Sequence, residues 1–134
     1  MARNDLGQIA LVKQFRYPAG QSLWELPAGG VEPDEDPLDS AKRELQEECE
    51  LSTKQWTKLT ETRSLPNVTN FSATLFLAES LSKTPNAIQS AATREVDKVR
   101  FFSLAEIADM TVSGELIDEK TLAALFVLSR QLLV

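Results

Sequence analysis

The run GGVEPDEDPLDSAKRELQEECEL, residues 29–51, decides how the rest of the chain is read. Two glycines and a polar loop lead to Asp36-Pro37, a helix N-cap followed by the residue best tolerated at the first helical position. Asp39 adds negative charge to the first turn, where the helix dipole favours it. Leu38, Ala41, Leu45 and Cys49 then recur at helical spacing as a buried stripe. Glu44, Glu47 and Glu48 fall at i, i+3 and i+4, so the helix presents all three carboxylates together, to the side and outward. Hard oxygen ligands gathered this way suit a divalent cation, which can neutralise phosphate oxygens and activate a water in the cleavage of phosphate esters and anhydrides. A solvated acidic helix face has the same local spacing, and only the longer pattern separates the two readings.

Before this helix, QIALVKQF at 8–15 reads as a largely buried strand that ends in the turn Tyr17-Pro18-Ala19-Gly20. Residues 22–26 form a short extended run, and Pro27-Ala28-Gly29-Gly30 forces a loop. After the helix, 56–63 is a weakly alternating strand and SATLFLA at 72–78 a stronger one. The polar stretch 80–94 is expected to be a long loop. A strand at 99–102 leads into Ser103-Leu104-Ala105-Glu106, a capping box that opens a short helix. A last helix is expected at 118–132, with Leu122, Leu125, Phe126, Ser129 and Leu132 on one side. Strands, a helix, more strands and a terminal helix imply an α+β protein, a mixed sheet with helices packed on its faces.

The 134 residues are expected to form one domain, long enough to bury about two thirds of its unfolded surface. Hydrophobic residues at 43% and charged residues at 25% exclude a disordered chain. The net charge of −6 argues against diffuse affinity for nucleic acid or an anionic membrane, so a polyanionic substrate must be met by local basic residues or by metal. Cys49 is the sole cysteine, no apolar run is long enough to cross a bilayer, and the N-terminal MARNDLGQ lacks the apolar core of a signal peptide, which together point to a cytoplasmic location. Histidine is absent, which excludes serine-histidine and cysteine-histidine hydrolase mechanisms. Any catalysis has to run on carboxylates, Lys, Arg, Tyr and metal.

Gly29, Glu35, Arg43, Glu44, Leu45, Glu47, Glu48 and Leu51 resemble, in type and spacing, the Nudix box of the Nudix hydrolase family. The runs Val12-Lys13-Gln14-Phe15-Arg16 and Trp24-Glu25-Leu26-Pro27-Ala28-Gly29-Gly30, with Phe102-Ser103-Leu104 and the stretch from Ser113 to Asp118, are similar to the ADP-ribose pyrophosphatase branch. The resemblance implies a Nudix-like α/β/α sandwich and Mg²⁺-dependent hydrolysis of ADP-ribose or a related nucleoside diphosphate sugar to a nucleoside monophosphate and a sugar phosphate, with Mn²⁺ as an alternative metal. It implies Glu44, Glu48 and the Ala28 carbonyl as metal ligands, with Glu47 as a ligand or a support behind them. Arg43 would orient the glutamates, and Glu35 would support metal binding. Glu95, with Asp97 as the fallback, would be the acidic base or ligand outside the box. Arg16 would bind substrate phosphate, since a guanidinium meets phosphate oxygens with two parallel bonds. Trp24 and Tyr17 could stack on a nucleobase, Glu25 could hydrogen-bond the base or ribose, and Pro66 lies where that branch places a proline. For each of these there is also a plain structural use: ion pairing for Arg16, core or rim packing for the aromatics, and a surface loop for Glu95.

Two features depart from the family pattern. Glu50 stands where the box has glycine, at a helix end that requires a left-handed residue, so a modified helix end with some loss of stability is expected. Only residues 1–7 precede the first strand, whereas family members carry at least one further strand there. The N-terminal strand is thus apparently missing and the sheet should expose an unpaired edge, filled in an altered homodimer or by a remodelled fold. The competing reading is a non-catalytic Nudix-fold module that binds a nucleotide as a sensor. Three clustered carboxylates argue against it, because their mutual repulsion is unfavourable without a cation.

Overall fold

Ile9, Ala10, Leu11 and Val12 are all buried, which for consecutive residues of a strand means that both faces of the sheet are covered. They belong to β1 (Ile9–Arg16), the middle strand of an antiparallel three-stranded sheet with β2 (Gln21–Glu25) on one side and β7 (Val96–Phe102) on the other. The computed structural model describes residues 1–84, 96–116 and 118–132. Between β1 and β2 the expected turn is a short 3-10 helix, Tyr17–Ala19, closed by Gly20 in the left-handed region at φ 65°. Two further antiparallel pairs complete the strands: β3 (Leu51–Ser52) with β6 (Ser82–Lys83), and β4 (Gln55–Arg63) with β5 (Ser72–Glu79). The short β6 lies inside the stretch expected to be all loop. Strand β7 begins at Val96, three residues earlier than its apolar pattern indicates.

The expected open edge is not there. Residues 1–3 lie between β1 and β5, where Ala2 bridges Ala78 in parallel and Arg3 bridges Ile9 antiparallel. The Ala78 amide donates to the Met1 carbonyl at 2.8 Å, the Arg3 amide to the Ala78 carbonyl at 2.9 Å, and the Ala10 amide to the Ala2 carbonyl at 2.9 Å. Arg3 also pairs with Glu79. Three residues thus satisfy the backbone groups that would otherwise template another chain.

One helix layer is α1 (Pro37–Cys49), whose Leu45 packs with Ala2, Ala10, Leu51 and Ala78. Leu38, Ala41 and Cys49 of its expected stripe are only partly buried, and Ser40 is buried instead. The opposite face, carrying Ile9, Leu11, Trp24 and Phe102, packs on Ile107 and Met110 of α2 (Leu104–Ser113) and on Ala124 and Leu128 of α3 (Glu119–Leu132). This is the α/β/α layering expected from the sequence. The capping box is fully formed: Ser103 Oγ accepts from the Glu106 amide at 3.2 Å while Glu106 Oε2 accepts from the Ser103 amide at 2.8 Å. In α3 the expected stripe is met in part, with Leu122 and Leu125 half-buried against the core. Thr121, Ala124 and Leu128 are fully buried, whereas Phe126 is 70% exposed and Ser129 is exposed.

Candidate active site

The helix that carries the glutamates is held at both ends as its residues dictate. Asp36 Oδ1 accepts from the Leu38 amide at 2.8 Å, with Pro37 in the first turn. At the other end Glu50 adopts φ 56°, ψ 35°, and its amide donates to the Gln46 carbonyl at 3.0 Å. The left-handed helix end is therefore kept without glycine, and the turn before it that carries the glutamates is intact. An L-residue in this region carries a penalty of about 1–2 kcal/mol.

Beneath α1 runs the loop from Pro27 to Asp36. The Ala28 amide donates to Glu48 Oε2 at 2.9 Å, and Gly29 approaches Glu44 so closely that a Cβ there would stand 1.9 Å from Glu44 Oε1. Gly29 has no left-handed φ, so what is required of it is space. Arg43 ties the loop to the helix. Its Nε and Nη2 donate to Glu35 at 3.0 and 3.1 Å, Nη2 donates to the Gly30 carbonyl at 3.0 Å, and Nη1 donates to Glu44 Oε1 at 2.7 Å. Glu47 Oε2 lies 3.5 Å from Nη1, the pairing expected from the i, i+4 spacing. Glu35, ahead of Glu44, keeps the guanidinium firmly charged. In turn Arg43, then the Glu32 amide, hold the Glu35 carboxyl below its usual range.

Glu48 is the unusual acid. Burial, reinforced by the charges of Glu44 and Glu25, pushes its pKa up to about 7 against the opposing Ala28 amide and Arg16. Among the described residues no three acidic or thiol side chains already stand in ligating geometry. Glu44 is engaged by Arg43, Glu48 by the Ala28 amide, and Glu47 is half exposed. The donor set nonetheless fits a hard divalent cation: carboxylates one helical turn apart, repelling each other, beside a loop backbone that reaches them because it has no side chain at Gly29.

The residues expected to select substrate fall into three groups. Arg16 and Glu25 lie on the α1 side of the sheet as a two-bonded pair, Nε to Oε1 at 2.9 Å and Nη2 to Oε2 at 2.7 Å, and Glu25 is 4% exposed. Trp24 faces the opposite way: it packs edge-on to Phe102 at 4.9 Å with the Lys13 ammonium over its ring, and is a core residue. Tyr17 is almost fully exposed, edge-on to Phe15, and Pro66 sits in the exposed turn between β4 and β5. Glu95 lies outside the described residues, as does the side chain of Asp97. One part of the site has no sequence signal among the motifs. The Leu26 amide, which opens the loop, donates to the buried hydroxyl of Thr121 on α3 at 3.0 Å.

The family model for the NUDIX domain matches residues 1–125. The chain belongs to the Nudix family. Among curated proteins it is 35% identical to an ADP-ribose pyrophosphatase of Bacillus subtilis over 130 residues, 93% of this chain and 67% of the relative. It is 32% identical to an ADP-ribose pyrophosphatase of Mycobacterium tuberculosis over 126 residues, 92% of this chain and 59% of the relative. A crystal structure of an ADP compounds hydrolase superposes with a TM-score of 0.83 at 17% identity, covering 98% of this chain and 70% of the other, which establishes the fold. This is a Nudix hydrolase related to ADP-ribose pyrophosphatases, and it spans between about three fifths and two thirds of those two relatives' length. Nudix hydrolases generally use divalent metal ions.

Proposed function

We propose that this chain hydrolyses the pyrophosphate of ADP-ribose or a related nucleoside diphosphate sugar, with Mg²⁺ as the preferred metal and Mn²⁺ as a substitute. Water attacks one phosphorus, and the products are a nucleoside monophosphate and a sugar phosphate. A divalent cation, when bound, supplies charge neutralisation at the phosphate oxygens and a more acidic water. Glu44, Glu48 and the Ala28 carbonyl would hold it, with Glu47 joining them or standing behind. Arg43 orients the glutamates and the loop in one set of hydrogen bonds. Arg16, kept in place by Glu25, meets substrate phosphate, while Tyr17 and the Pro66 turn form the outer rim. Glu95 is the proposed base or additional ligand from outside the box. We further propose that the protein acts in the cytoplasm, on a small nucleotide and on neither nucleic acid nor membrane; the homodimer expected from an open sheet edge loses that basis, because residues 1–3 fill the edge, and no helix among the described residues is long and apolar enough to span a bilayer.

The observation that carries this reading is the approach of the Ala28–Gly29 backbone to Glu48 and Glu44, which puts loop backbone and paired carboxylates in one place. The test is a panel of ADP-ribose, other nucleoside diphosphate sugars and dinucleoside polyphosphates, incubated with Mg²⁺ and compared with Glu48→Gln. Hydrolysis of ADP-ribose that disappears in Glu48→Gln supports the proposal. A wild-type protein that binds a nucleotide yet cleaves nothing on the panel replaces it with the sensor reading.

A further inference from the structure

Leu26 stands two residues ahead of Ala28, and its buried amide has to find an acceptor. The acceptor is Thr121 Oγ1 at 3.0 Å, reached across 95 residues of sequence. Thr121 is fully buried, and it gives its one hydroxyl proton to Asp118 Oδ2 at 2.6 Å. The lone pairs of Oγ1 are thereby turned toward Leu26, because a hydroxyl has one proton to donate and two sites to accept. Asp118 is itself fixed: Oδ2 also accepts from the Thr121 amide at 2.8 Å, and Oδ1 accepts from Lys120 Nζ at 2.8 Å. Thr121 is the third residue of α3, and Asp118, just ahead of the helix, caps it by accepting its amide. The loop that starts from this anchor supplies backbone contacts to the charged residues of α1: Ala28 to Glu48, Gly29 against Glu44, and the Gly30 carbonyl to Arg43.

We propose that Thr121, oriented by Asp118, is a positioning residue for the metal site: it fixes where the 27–30 loop begins and so sets how Ala28 and Gly29 meet Glu48 and Glu44. The proposal rests on the metal-dependent reading above. It extends the site to a helix on the opposite face of the sheet, remote from the box in sequence.

The test compares Thr121→Val, Thr121→Ser and Asp118→Ala with the wild type. Two quantities are read: amide exchange at Ala28 in metal-free protein and Mn²⁺ affinity by calorimetry. Thr121→Val is expected to speed exchange at Ala28 and to weaken Mn²⁺ binding by about ten- to hundredfold, the size usual for residues that orient metal ligands. Thr121→Ser restores both, because it keeps the hydroxyl. Asp118→Ala keeps the hydroxyl but removes the oxygen that takes its proton, and moves both readouts in the direction of Thr121→Val. A folded Thr121→Val with wild-type exchange at Ala28 and wild-type Mn²⁺ affinity overturns the proposal, whatever its melting temperature. Should Thr121→Val fail to fold, an unchanged Ala28 amide in Asp118→Ala overturns it instead. A wild-type protein that takes up no Mn²⁺ removes the proposed function, and Ala28 exchange in the variants then decides the positioning role alone.

Discussion

The amide of Ala28 is bonded to the carboxylate of Glu48 across 2.9 Å, although twenty residues and a polar loop separate them. One peptide of the loop and one helix residue thus share a hydrogen bond at the place where the chemistry is proposed. Next to them Gly29 leaves the space that Glu44 fills.

Gly29→Ala separates folding from metal binding. The new Cβ meets the far end of a movable side chain, and the backbone angle suits alanine, so thermal denaturation should shift by no more than a few degrees. Glu44 has to swing away, and calorimetry should show Mg²⁺ or Mn²⁺ affinity reduced by about ten- to hundredfold. A variant that binds metal as the wild type does would mean that Glu44 is not a ligand.

Glu50→Gly should stabilise the protein. Removing the left-handed penalty gains about 1–2 kcal/mol, partly offset by about 0.4–1 kcal/mol from the freer unfolded chain, so urea unfolding should report a net gain of about 1 kcal/mol. Since the helix end already has the required shape, the rate of hydrolysis should stay unchanged.

The Arg16–Glu25 pair is half open to solvent on the arginine side and closed on the glutamate side. Arg16→Ala leaves a buried carboxylate beside Glu48 without its partner, and discounting the fully buried value for the exposed guanidinium gives a destabilisation of about 2 kcal/mol. Combining Arg16→Ala with Glu25→Gln should recover most of that stability, because no buried charge is then left unpaired, while loss of the proposed phosphate contact keeps KM for substrate raised.

Asp118 makes the fold sensitive to acid. Burial alone would raise its pKa, but hydrogen bonds from Lys120 and Thr121 outweigh burial and hold it below the ordinary 3.8. The unfolded chain therefore binds this proton first as pH falls. The carboxylate's contribution is complete above 3.8 and is lost as pH drops through the folded value. At neutral pH Asp118→Asn should be less stable by about 2 kcal/mol, the worth of hydrogen bonds to a charged group. Denaturation followed below pH 4 should show the two stabilities converging.

The box helix was legible in the sequence from its N-cap to the glutamate turn, because Asp36, Pro37, the glutamate spacing and Arg43 act within one or two turns; its C-terminal end was not, since Glu50 keeps the left-handed shape where a modified end was expected. The capping box at Ser103 was legible for the same reason. Trp24 was not, since its side depends on lying opposite Lys13 in the β1–β2 register, and that places the ring against Phe102. In α3 leucine, alanine, valine and phenylalanine surround the axis, so periodicity could not choose between neighbouring faces. The face with Thr121, Ala124 and Leu128 became the buried one, and the Leu26 amide bonded to Thr121 is the tertiary contact that no helical period reveals.

Local chemistry, then, determined which residues carry charge, which turns cap the helices, and that three carboxylates leave one helix together. Only the tertiary structure decided what meets them: the Ala28 amide, the space at Gly29, and the hydroxyl of Thr121 behind the loop. It also decided that residues 1–3 close the gap between β1 and β5. Hydrogen bonds and close contacts between distant segments leave no periodic trace along a chain, because their partners are selected by the packing of layers and not by spacing in sequence.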